Sequence, residues 1–147
     1  MNRSTTVSAE LGIRLVAAEQ TVVPLVASLY YSVSDPYAIR MAFHVGNDEP
    51  VEWIFARDLL ADGLMAPEGD GDVRVWPSLE TDPDDKEYGR HSVINIELSS
   101  PFGEALFEAP SEDIANFLNR TYRIVPMGKE NDVIDFDAEL HGLLWQA

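Results

Sequence analysis

Three observations predict an α+β fold in which antiparallel strands come first and helices last. Apolar residues alternate with polar ones through the first 45 positions: Val7, Ala9, Leu11, Ile13, Leu15 and Ala17, then Leu25, Ala27, Leu29 and Tyr31, then Tyr37, Ile39, Met41, Phe43 and Val45. Turn signals at Asp35-Pro36 and Gly46-Asn47-Asp48 break that alternation into segments. Beyond a short run of helix formers at 56–62, helical spacing enters in the second half, at Ile114, Phe117, Leu118 and Tyr122. Successive strand side chains point to opposite faces, so each early segment has one face to bury and one that can be wet. Strands segregated from helices in this way are the mark of an α+β domain.

Taken in order, residues 5–18, 22–34 and 37–46 read as three strands of a meander. Pro24 puts its strand at an edge or a bulge, because proline has no amide to donate. Val51–Phe55 is a short fourth strand. Ala56–Asp62 is rich in helix formers and stops at Gly63, a natural residue for the position after a helix. Residues 66–72 are a loop, Asp72–Trp76 a short strand closed by Pro77, and residues 78–91 an acidic surface loop. Val93–Ser99 and Gly103–Ala109 form a hairpin around Ser99-Ser100-Pro101-Phe102. Ser111 is placed to cap the helix that follows, with Glu112 and Asp113 suiting the positive end of its dipole. After a linker at 126–134, Asp135 opens a last helix in which Phe136, Leu140, Leu143 and Leu144 form an apolar stripe. That stripe either covers the sheet or packs between subunits.

Composition bounds the function. The 147 residues suit one domain, 1–147, and 46% hydrophobic residues with three tryptophans can build a core. With no cysteine there are no disulfides, thiolate nucleophiles or cysteine zinc sites. No apolar run approaches the ~20 residues that cross a bilayer, and the N-terminus lacks an apolar signal stretch, so a soluble chain without direct membrane insertion is expected. There are 26 acids against 10 lysines and arginines, a net charge of −16. Phosphate backbones are bound by clustered cations, and the only two lysines are Lys86 and Lys129, so no nucleic-acid partner is expected. The charge favours encounter with basic protein surfaces.

Site motifs are sparse. His44, His91 and His141 are widely spaced, with no second histidine or cysteine three or four residues from any of them, and are not assigned as metal ligands. Glu68–Asp72 and Asp82–Asp85 lack the spacing of a calcium loop and read as solvated acidic loops. Ser99-Ser100-Pro101-Phe102-Gly103 is not a nucleophile elbow, and no phosphate-binding glycine pattern occurs. Trp53, Phe55 and Trp76 could stack bases but alternate with polar residues as core strand residues do. Arg14, Arg40, Arg57 and Arg74 are assigned to polar faces, paired with nearby acids. No catalytic residue, metal or cofactor is assigned.

Several long strings nevertheless occur together and in order: DPYAIRMAFH (35–44), VEWIFARDLLADGL (51–64), GDVRVWPS (71–78), LSSPFGEALFEAP (98–110) and FLNRT (117–121). In them the chain closely resembles the SsgA-like sporulation and cell division proteins of actinomycetes. The resemblance spans roughly residues 5–146 and points to the branch acting early in septation. Residues 79–91 are longer and more acidic than that branch's pattern. The resemblance implies a non-enzymatic protein with a whirly-like fold, two antiparallel β-sheets with a short central helix and two C-terminal helices. It also implies a homotrimer that recruits FtsZ to future septum sites, promotes its polymerisation and works with an SsgA-like partner, in the cytoplasm at the division septum. The alternative is a single-stranded nucleic-acid-binding whirly-like protein, which −16 charges oppose. Candidate partner contacts are Asp35, Arg40, His44, Glu52, Arg57 and Asp58, from the first two strings.

Overall fold

A computed structural model describes residues 5–46, 49–69, 71–81 and 90–133. The helix expected from Asp135, His141, and most of the acidic loop lie outside the described residues. In chain order the elements are β1 (Thr6–Val16), β2 (Val22–Ser32), β3 (Asp35–His44), β4 (Val51–Ala56), α1 (Arg57–Gly63), β5 (Val73–Thr81), β6 (Arg90–Ser100), β7 (Gly103–Pro110) and α2 (Ser111–Ile124). Strands precede helices in each half, as the periodicity predicts.

Register follows the alternation. β1 pairs with β2 from Thr6↔Ser32 to Val16↔Val22, which puts Val7, Leu11 and Ile13 beside Tyr31, Ala27 and Leu25 on one face. Ile39, Met41 and Phe43 of β3 and Phe55 of β4 join that face, and all four are buried. Burial of each such side chain stabilises the fold by roughly 1.5–3 kcal/mol.

The expectation of two sheets is corrected. Among the described residues the strands form one seven-stranded antiparallel sheet, ordered β4-β3-β2-β1-β7-β6-β5. Its two halves are hydrogen-bonded through a narrow joint, Arg14↔Glu108, Leu15↔Phe107 and Val16↔Leu106. The sheet curls at that joint. Phe43 of β3 stacks on Phe107 of β7 with ring centroids 4.1 Å apart. A flat sheet, at roughly 4.8 Å per strand, would hold those two strands about 14 Å apart.

α2 packs against β1, β6 and β7, where the halves diverge beyond the joint. Its buried residues Ile114, Phe117, Leu118 and Thr121 follow the i, i+3, i+4, i+7 spacing of one helical face. Arg120 Nη1 donates to the Ser8 carbonyl at 3.0 Å, a backbone oxygen on the part of β1 that β7 does not reach.

Several local expectations shift by a residue or a role. Pro24 pairs with Arg14, but β3 ends at His44 opposite Val26, so β2 is locally an edge at the proline. The β2–β3 turn is Val33-Ser34; Asp35 already pairs with Ser32, and the register slips around Pro36. Pro77 does not end β5 but sits within it, tolerated because β5 is a terminal strand. Ser111 does not cap α2: Pro110 holds that position without a side-chain bond, and the Ser111 hydroxyl bonds Ser92 at 2.8 Å. Gly63 is the last residue of α1, and its role is close approach. A Cβ there would lie 2.3 Å from Val75 Cγ1.

Candidate functional site

The face of β1–β4 opposite the core carries most of the candidate contacts. Leu29, Tyr31, Ile39, Met41, Phe43 and Phe55 are buried against the core, so Tyr30, Arg40, Glu52 and Ile54 between them point the other way. Tyr30 lies opposite Arg40, and Arg40 opposite Ile54. The Arg40 guanidinium carbon stands 4.7 Å from the Tyr30 ring centroid, and its Nε is 3.5 Å from Glu52 Oε1. Both partners of this ion pair are about half exposed, which keeps its contribution to stability small. A groove of about 380 Å³ opens beside the pair, lined by Ser8, Tyr30, Asp35, Ala38, Arg40 and Ile54 among others. Further along the same face, His44 Nε2 and Ser28 Oγ are hydrogen-bonded at 2.9 Å.

Asp35, Arg40 and Glu52 are thus brought together, with His44 at the far end of the same face. Asp58 is exposed in the first turn of α1, away from the groove.

Arg57 does not belong to this surface, and its assignment to a polar face is corrected. It is 1% exposed and, among the described residues, the largest fully buried side chain. Nη2 donates to Glu130 Oε1 at 2.7 Å, and Nη1 donates to the Val125 carbonyl at 2.8 Å and Thr121 Oγ1 at 3.3 Å. The guanidinium carbon also lies 4.8 and 4.6 Å from the ring centroids of Tyr31 and Tyr122. One side chain from the start of α1 therefore ties β2, α2 and the segment after α2.

The acid–base shifts in the described residues centre on this clamp. Burial pushes the Tyr31 hydroxyl up to about 12, against the pull of Arg57. That hydroxyl donates to the Pro36 carbonyl at 2.8 Å. Burial likewise raises Tyr122, again against Arg57. Burial also pushes the Glu130 carboxyl up, but its bonds to Arg57 and to backbone amides hold it below the usual carboxylate range.

The clamp was missed by sequence reasoning although its signal is present. Trp53, Phe55 and Arg57 continue one period-two series, and the series points inward. The three other arginines assigned to polar faces stand at even positions and do pair with acids: Arg14 with Glu108 at 2.8 Å, Arg40 with Glu52, and Arg74 with Glu97 at 3.6 Å. Phe55 is core, while Trp53 and Trp76 are half-buried. Among the described residues no group of three or more His, Asp or Glu side chains is placed to hold a metal ion. No helix among them is long and apolar enough to cross a membrane.

Comparison with known proteins gives a consistent picture. The family model described as Streptomyces sporulation and cell division protein, SsgA, matches residues 25–130. The sporulation-specific cell division protein SsgB of Thermobifida fusca is 53% identical, over 92% of this chain and 93% of that protein. SsgB of Streptomyces coelicolor is 50% identical, over 96% of this chain and 97% of that protein. Among solved structures, an SsgA-like sporulation-specific cell division protein from Thermobifida fusca superposes with a TM-score of 0.82 at 52% identity, covering 97% of this chain and 98% of that one. A second structure, from work relating mutations in SsgB to longitudinal cell division during sporulation of Streptomyces coelicolor, gives 0.78 at 50% identity, covering 88% and 95%.

Proposed function

This chain belongs to the SsgA family of sporulation and cell division proteins, and we propose that it is a regulator of sporulation-specific cell division. The observation that supports this reading is the extent of the likeness: the SsgB relatives align along almost the whole of both chains, at 53% and 50% identity. In this reading the protein is a non-enzymatic adaptor. It recruits FtsZ to future septum sites, promotes its polymerisation and acts alongside an SsgA-like partner.

The adaptor is a homotrimer. Three copies of one weak site on a filament raise the apparent affinity through effective concentration, without any new contact. Asp35, Arg40, His44 and Glu52 on the outer face of β1–β4 are the proposed FtsZ contacts, with exposed Asp58 beside them in sequence. Arg57 has no direct part in binding, because a partner cannot reach it without opening the core.

Co-sedimentation with cognate FtsZ and GTP, with light scattering alongside and albumin as inert control, tests the proposal. Specific pelleting with faster or greater polymerisation is the expected result. Folded protein that neither pellets nor changes polymerisation, alone or with an SsgA-like partner present, contradicts it. A variant held monomeric that promotes polymerisation at unchanged potency contradicts the multivalent mechanism.

A further inference from the structure

The sheet has two terminal strands, and they are built differently. On β5, Pro77 removes one amide, and Val75 already exchanges both backbone hydrogen bonds with Glu68 on the side away from β6, at 2.8 and 3.0 Å. On β4 nothing comparable occurs. Its pairing with β3 runs without a bulge from Ala38↔Ala56 to Phe43↔Val51, and it holds no proline and no lysine. Among the described residues, no backbone hydrogen bond other than those to β3 reaches Val51–Phe55. Val51 is 50% exposed and Ile54 65%. Proteins ordinarily blunt such an edge, because its unpaired amides and carbonyls are a template for another strand.

We propose that the free edge of β4 is a docking strand for an extended segment of another protein, apolar at alternate positions and flanked by lysine or arginine. Main-chain hydrogen bonds supply the affinity in strand addition, and side chains on alternate positions supply the selectivity. Here Ile54 offers the apolar contact on the outer face, and it also forms one wall of the groove beside Arg40. Charge selects the occupant. Exposed Glu49 stands at one end of the edge, beside the Glu52 carboxylate that balances Arg40, and exposed Asp58 and Asp62 stand beyond the other end. A second copy would bring the same carboxylates against these, on a chain that already carries −16. A basic-flanked segment meets them with opposite charge, which favours encounter and rejects acidic partners. The inference does not depend on FtsZ being a partner.

The probe is a fluorescein-labelled synthetic peptide of alternating valine and threonine with two lysines at each end, followed by fluorescence anisotropy. The expected result is saturable binding that weakens with salt. It should fall at least about tenfold, near 1.4 kcal/mol, for Ile54→Lys and for the same peptide N-methylated at alternate amides. Leu79→Lys, at an exposed position of β5, should leave it unchanged. The methylated peptide leaves the protein intact, so a folding defect in a variant cannot imitate the result. Absence of saturable binding, or equal binding of plain and methylated peptides, overturns the proposal. So does sedimentation velocity showing that Ile54→Lys abolishes a self-association while the peptide never binds, because the occupant is then a second copy.

Discussion

Arg57 and Arg40 each pair with a glutamate and lie against tyrosine, yet they act in opposite surroundings. Arg57 is buried among Glu130, Tyr31 and Tyr122, with a 2.7 Å ion pair. Arg40 stands half exposed above Tyr30, 3.5 Å from Glu52. The same chemical groups thus make a structural bolt in one place and an adaptable surface in the other. The difference lies in desolvation. A buried charge that loses its partner is left without water, whereas an exposed one is simply rehydrated.

Breaking the bolt should have the largest effect. Arg57→Met strands the Glu130 carboxylate in the interior and is expected to destabilise the fold by about 3–5 kcal/mol, read from urea melts. Arg57→Met with Glu130→Leu should recover part of that loss, since both charges then leave together. A double variant no more stable than the single would mean that the hydrogen bonds to Val125 and Thr121 matter more than the ion pair. The depressed Glu130 carboxyl gives the same clamp an acid limit. Its contribution is present above the ordinary carboxylate range and is lost as pH falls through the lowered folded value. Arg57→Met should remove that component from the pH dependence of stability.

Gly63→Ala follows in size. The new methyl meets Val75 Cγ1 at 2.3 Å and must push α1 away from β5, at a cost of about 1–3 kcal/mol. Tyr31→Phe removes the hydrogen bond to the Pro36 carbonyl and should lower stability by about 1 kcal/mol. It also tests the alkaline limit. The Tyr31 hydroxyl is raised from 10 to about 12, so its contribution is fully present below pH 10 and is lost as pH climbs toward 12. Alkaline melts of wild type and Tyr31→Phe should differ in that window.

The smallest effect on stability belongs to the exposed pair. Arg40→Ala should change the melting free energy by no more than about 0.5 kcal/mol. A loss as large as that of Arg57→Met would erase the distinction between bolt and surface.

Much of the fold was legible because the period-two signal is strong where strands are half-buried. Residues 39, 41 and 43 of β3, and residue 55 of β4, are the ones that face the core. The single sheet was not legible, since its halves meet through only three residue pairs carried on strands far apart in sequence. Pro77 misled for a related reason: a proline reads as a stop unless the strand is known to be terminal. Arg57 was misread because residue type was weighed above periodicity. Its partner lies 73 positions away, in a segment with no regular pattern to flag it. The outer-face candidates could be located on the sheet, but the groove beside them depends on side chains from four strands.

In the proposed reading the outer face of β1–β4 engages FtsZ while the Arg57 clamp only holds the scaffold. The most direct test is co-sedimentation of FtsZ with the Arg40→Ala, Glu52→Ala double variant, beside the wild-type protein and with a thermal melt of each. The expected result is an unchanged melt with markedly reduced pelleting. A double variant that is equally folded and pellets FtsZ as well as wild type would contradict the claim.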